Sequence, residues 1–177
     1  MLLSLLYYDH PGLRKKAVPI EEITEEIKQF AQDMVETMIH FNGVGLASPQ
    51  VNRHVRLVVI RDEFVDEDEQ YRLGPPEVLI NPVLTLPSKE IDRMPEGCLS
   101  IPGIHAEVAR PISIHIRYQT LDGRVVEEDV IGFRARVMMH ENDHLNGVLY
   151  IDRLSPEDRA RIEPMLRAVK SKYTQTT

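Results

Sequence analysis

Tryptophan is absent from this 177-residue sequence, and cysteine occurs once. A single cysteine cannot close an intrachain disulfide, so nothing points to a secreted disulfide framework and the reducing cytoplasm is the expected compartment. No apolar run reaches the roughly 18 residues that a membrane-spanning helix needs. The apolar opening (Leu2, Leu3, Leu5, Leu6) is too short for a signal peptide, lacks a preceding cationic stretch and runs directly into Asp9-His10-Pro11-Gly12. Positive charge is in deficit: 21 Lys and Arg face 28 Asp and Glu, a formal net charge of -7. That balance argues against a protein that binds nucleic acid by neutralising phosphates. Internal repeats, low-complexity tracts and linkers are also missing, so residues 1–177 read as one domain with room for a buried core.

What is present begins with a helix. Thr24 is a good N-cap, Glu25 and Glu26 suit the positive end of a helix dipole, and Ile27, Phe30, Ala31, Met34, Met38 and Phe41 recur at helical spacing before Asn42-Gly43 supplies a stop. Residues 55–61, 78–86, 112–120 and 124–130 are β-rich. In the third run Ile112, Ile114, Ile116 and Tyr118 alternate with Ser113, His115, Arg117 and Gln119, and Asp122-Gly123 marks a hairpin turn. The acidic stretch 62–69 predicts a solvated loop without chemistry, because so many carboxylates cannot all be buried. A second helix is expected over 133–145, ended by Asn146-Gly147, and a third after Ser155-Pro156. Helix, sheet, helix, helix is the order of an α+β domain.

The segment with chemical content is His140-Glu141-Asn142-Asp143-His144. Residues i and i+4 of a helix share a face, so two imidazoles can reach one metal with Glu141 beside it as proton acceptor. Two histidines on a solvated helix are the plain alternative. A catalytic site of this kind usually has three protein ligands and one open position. A third histidine six residues further on would make the metzincin pattern, but Tyr150 stands there. Glu157 and Glu163 lie in a charged final helix. Cys98 is the better ligand, since a thiolate binds borderline metals strongly and Gly97 and Gly103 flank it as turn glycines; taken alone it reads as a small buried hydrophobe.

Three segments, Gly43-Val44-Gly45-Leu46-Ala47-Ser48-Pro49-Gln50, Glu96-Gly97-Cys98-Leu99-Ser100 and His140-Glu141-Asn142-Asp143-His144-Leu145-Asn146-Gly147, resemble in order and separation the three motifs of the peptide deformylases. The resemblance runs over nearly the whole chain. It implies antiparallel sheets around a central metal-binding helix, and removal of the formyl group from N-formylmethionyl nascent peptides. Cys98, His140 and His144 would hold one divalent metal, Fe2+ in the cell with Zn2+, Ni2+ or Co2+ able to substitute. Glu141 would be general acid and base, and the Gln50 side chain and Leu99 backbone N–H would donate to the oxyanion. Val44 and Val137 are candidates for the methionine pocket, with Gly43 and Gly45 letting substrate backbone come close. Glu96 and Asp143 are not counted as ligands; each is either a partner that orients a ligand or a structural salt-bridge residue, and the structural reading is favoured.

Ser48, Met139 and His105 depart from the family's commonest residues and bear on substrate contacts rather than on the reaction. Arg167, Lys170 and Lys172 give the last helix a basic end that suggests ribosome contact, although cations there also complement a helix dipole. The rival readings are a zinc endopeptidase or other amidase built on the same helix, and a binding module whose structural metal has a fourth protein ligand, with His105 or His115 as candidates.

Overall fold

The computed structural model describes residues 1–174. Helix α1 (Glu25–His40) starts where its cap predicts, with Thr24 Oγ1 accepting from the Ile27 N–H at 3.3 Å. It ends just before Asn42, which takes the left-handed conformation at φ 55°. Its buried face is Ile27, Phe30, Ala31, Met34 and Met38. Phe41 differs from expectation: it sits beyond the last turn and is 38% exposed.

The main sheet is antiparallel, in the order β1 (Gly45–Ala47), β2 (Leu57–Ile60), β5 (Glu77–Thr85), β8 (Ser113–Gln119) and β9 (Val125–Ile131). Strand β2 is buried along its length because the sheet is covered on both sides. Leu57 and Val59 pack with Phe30, Met34 and Met38 of α1. Val58 and Ile60 face the other way, against Ala135, Met138 and Met139 of helix α2 (Gly132–Leu145). Each such side chain contributes about 1.5–3 kcal/mol of burial free energy. The alternation read in β8 holds, with Ile114, Ile116 and Tyr118 turned toward α2.

Two hairpins complete the sheet content of the described residues. One joins β3 (Glu63–Val65) to β4 (Tyr71–Leu73), so part of the stretch expected to be an acidic loop is a projecting ribbon. The other joins β6 (Ile91–Cys98) to β7 (Ile101–Pro111) and has no counterpart in the strand runs read from sequence. Ile104, Ala106 and Val108 of β7 bury against Ile162, Leu166 and Val169 of helix α3 (Pro156–Thr174). Helix α3 begins at the expected place, with Ser155 Oγ accepting from the Asp158 N–H at 3.1 Å. The result is the α+β architecture expected.

Helix α2 lies at the centre. Ten of its 14 residues are buried, including Arg136, His140, Glu141, Asp143 and His144. One side meets the sheet with apolar groups, and the other carries charge into the interior, where every such group needs a partner. Those partners come chiefly from the β6–β7 hairpin.

Candidate metal centre

The three proposed ligands converge. Cys98 ends β6, and His140 and His144 stand one turn apart on α2; their ligating atoms all lie within 4.8 Å of one another. Cys98 Sγ is 3.3 Å from His144 Nε2. Ligand atoms arranged tetrahedrally around one ion at ordinary bond lengths lie about 3.3–3.8 Å apart, so a small adjustment closes the set. Burial holds His144 well below the usual histidine range, which keeps its ring neutral, as a ligand must be. One thiolate and two imidazoles suit a borderline divalent metal.

Glu96 was weighed toward a structural role, and the structure gives it a second one. Its carboxylate receives Arg110 through Nε at 2.7 Å and Nη2 at 2.9 Å, Arg136 Nη1 at 2.7 Å, and His140 Nδ1 at 2.8 Å. Burial raises the cost of this charge, but the bonds from His140 and Arg110 outweigh it and bring the carboxyl down to about 2. An ionised carboxylate only accepts, so Nδ1 of His140 donates to it; burial disfavours charge on this ring, but its bonds to Cys98 and Glu96 outweigh that and raise it to about 10, so a metal would bind at Nε2 by displacing a proton there. Asp143 belongs to a purely structural group, bonded to Arg110 at 2.9 Å and to Arg153 at 2.6 and 2.7 Å.

Glu141 points into the same space. It is 4% exposed, and burial pushes its carboxyl up to about 7. Its Oε2 is one of three buried side-chain atoms without a hydrogen-bond partner among the described residues. Gly45 makes this placement possible, because a Cβ there would lie 2.4 Å from Glu141 Oε1. Gly45 was expected to clear space for substrate backbone; it also clears space for the carboxylate. Gly97 is likewise no turn glycine. It lies within β6, and a Cβ on it would meet His105 Nε2 at 2.6 Å.

Gln50 is 1% exposed and fixed at both ends of its amide: Oε1 accepts from the Ala47 N–H at 2.8 Å, while Nε2 lies 3.4 Å from Cys98 Sγ and 3.1 Å from Ser100 Oγ. Its donor group is therefore aimed at the centre. A cavity of about 490 Å³ opens over Cys98, His140 and Glu141, and Val44, Gly45, Gln50, Leu99 and Val137 all line it. Phe133, Arg136 and His105 line it too, and sequence reasoning had given no pocket role to the first two. Ser48, one of the departures, is not among the residues lining this cavity: it is fully buried and its hydroxyl donates to the Val55 carbonyl.

Of the rival ligands, His105 lines the cavity but is not part of the ligand group, and two others lie elsewhere. His115 pairs with Asp129 on β8 and β9, and Glu163 pairs with Arg159 within α3. Among the described residues the metal-ligating group is Cys98, His140 and His144, without the fourth ligand that a structural site needs.

Comparison with known proteins agrees with this geometry. Residues 2–160 match the family model described as polypeptide deformylase. A peptide deformylase of Bradyrhizobium diazoefficiens is 44% identical over 162 residues, covering 91% of this chain and 92% of that protein. One of Acinetobacter baumannii is 42% identical over 168 residues, covering 95% and 92%. The crystal structure of a plant peptide deformylase superposes with a TM-score of 0.89 at 34% identity, covering 99% of this chain and 92% of that one. By sequence, by fold and by the residues gathered at α2, the chain belongs to the peptide deformylase family.

Proposed function

We propose that Cys98, His140 and His144 hold the divalent metal of this deformylase, that Glu141 moves the protons, and that Gln50 and the Leu99 N–H receive the oxyanion. The chain is a metal-dependent hydrolase that removes the N-formyl group from new polypeptides, leaving formate and a free N-terminus. The observation that carries the residue assignment is the convergence of three ligand atoms beside a buried, unpartnered carboxylate oxygen.

A divalent ion in this set would make water a nucleophile near neutral pH and polarise the formyl carbonyl. Glu141 Oε2 accepts the proton that water releases and then delivers it to the departing amine nitrogen, without which the C–N bond does not break. Gln50 Nε2, locked by the Ala47 N–H on its other end, donates to the oxygen on which negative charge develops. Val44 and Val137 supply apolar wall for the methionine side chain. Glu96 keeps His140 in the ligating tautomer.

Ferrous iron is our choice of native metal, supported by the family resemblance; the thiolate and imidazole donors suit any borderline divalent ion. We further propose that residues 1–177 act as one domain in the cytoplasm, where formylated chains emerge. No described helix is long and apolar enough to cross a membrane. Ribosome contact through α3 is supported by Arg167 and Lys172, both on its exposed side; Lys170 is already bonded to Asp9 at 2.8 Å. Removing residues 167–177 should then reduce co-sedimentation with ribosomes at low salt, and an intact protein that never co-sediments would end that idea. Residues 175–177 lie outside the described residues.

The decisive experiment is release of formate from formyl-Met-Ala by protein purified without oxygen, together with metal analysis of Cys98→Ser. Stoichiometric metal in the unaltered protein and its loss in the variant are expected. A variant that keeps both metal and turnover would overturn the ligand assignment.

A further inference from the structure

The β3–β4 hairpin exposes more apolar surface than so small a ribbon ordinarily tolerates. On one face Val65 is 64% exposed, Tyr71 60% and Leu73 38%; Phe64, 49% exposed, lies on the other, opposite Arg72. An isolated two-stranded hairpin is marginal in water, and exposed strands are usually protected by charge or proline. Apolar side chains kept on such a ribbon suggest a surface that is covered during use.

The register locates that surface. Glu63 pairs with Leu73, and Val65 with Tyr71, so these four side chains share one face. Glu63 lines the catalytic cavity and stands opposite Leu73 on this face. The face is thus the outward continuation of the cavity wall. At the tip, Asp66 is occupied in holding the turn, accepting from the N–H groups of Asp68 and Gln70 and from Arg72. Glu67, Asp68 and Glu69 remain exposed and give the tip negative charge.

Deformylation alters only the first residue of a substrate, yet every natural substrate continues outward from the cavity. Resting on the deformylase reading, we infer that the Val65–Leu73 face binds the residues of the formylated peptide that follow the one next to methionine. It favours apolar side chains there, and the tip favours a basic residue beyond them. An extended peptide advances about 3.3 Å per residue, so strands of three residues match about three residues of substrate. Continuity with the cavity selects the substrate over a second copy of the chain as the occupant, and the acidic tip complements a basic residue rather than another copy of this acidic protein.

The test compares formyl-Met-Ala with formyl-Met-Ala-Ser-Leu-Val-Lys and with the same hexapeptide ending in Glu, using metal-loaded full-length protein. In Val65→Ser/Leu73→Ser, KM for the hexapeptides should rise about fivefold to tenfold while the constants for formyl-Met-Ala stay unchanged. In Glu67→Lys/Asp68→Lys/Glu69→Lys, which alters only exposed side chains, the preference for the Lys peptide should reverse toward the Glu peptide, most clearly at low salt. Equal effects of the paired substitution on short and long peptides, or none on either, would overturn the inference while leaving the deformylase reading in place. So would a dimer of the unaltered protein that the paired substitution dissociates. An unaltered enzyme that releases no formate from formyl-Met-Ala would instead remove the reading on which the inference stands.

Discussion

Glu141 and Gly45 form a functional pair at the scale of single residues. Glu141→Gln keeps the shape of the side chain but cannot take a proton, so kcat should fall by roughly 10²–10⁴-fold with metal content unchanged. Gly45→Ala should produce a related defect from the opposite side of the contact, because the new Cβ would fall 2.4 Å from Glu141 Oε1 and displace it. Formate release and metal analysis on the two variants check both outcomes; full activity in Gly45→Ala would mean that the carboxylate has another place to sit. That Cys98, His140 and His144 come together was legible in the sequence because ligand chemistry fixes residue type and helical periodicity fixes the spacing of the histidines; Gln50 was picked out through the family resemblance alone. Glu96 was harder to weigh. Its four donors come from Arg110, Arg136 and His140, which are distant in sequence from Glu96, so no local pattern announces them.

At the scale of elements, helices were read more accurately than strands. Helices α1 and α3 carry local signals, in the Thr24 cap and the Ser155-Pro156 start. Strand β6 carries little: Asp92, Arg93, Pro95 and Glu96 interrupt any apolar alternation, and proline is tolerated there because the strand lies at an edge of its two-stranded ribbon. Its hairpin is joined to α2 by charge, since Glu96 and Asp92 of β6 bind Arg136 of α2, and Arg110 of β7 binds Asp143 of α2. Glu96→Ala should therefore leave two buried guanidinium groups short of a counter-charge and destabilise the fold by roughly 3–5 kcal/mol. It should also weaken metal affinity about 10–100-fold through the loss of the His140 contact. Thermal melting with and without added metal separates the two effects, and an unchanged melt would show that the arginines find other partners.

Across the whole molecule, contacts far apart in sequence join the pieces. Arg14, near the start of the chain, holds Asp152 beyond α2, with Nη2 to Oδ1 at 3.1 Å. Burial works against the Asp152 charge, but the Arg14 hydrogen bond outweighs it and sets its pKa below the ordinary 3.8. A depressed carboxylate stabilises the fold fully above the unfolded value and loses that contribution as pH falls through the folded one. Acid titration of stability should show this loss below about pH 4, and Asp152→Asn should flatten it; an identical acid profile in the variant would dismiss the contact as a source of stability. Both side chains are more than a third exposed, so screening limits the effect to about 1 kcal/mol or less. The placement of Cys98 at the end of one hairpin and of both histidines on the central helix has a consequence beyond catalysis. An ion held as proposed by residues 46 positions apart would be a clasp, and its binding energy would be available to hold the hairpin closed on the helix. Stripping the ion should then unfasten that closure first at 91–111, and amide exchange along β6 and β7 should gauge how many molecules in a sample are loaded, readable without any substrate.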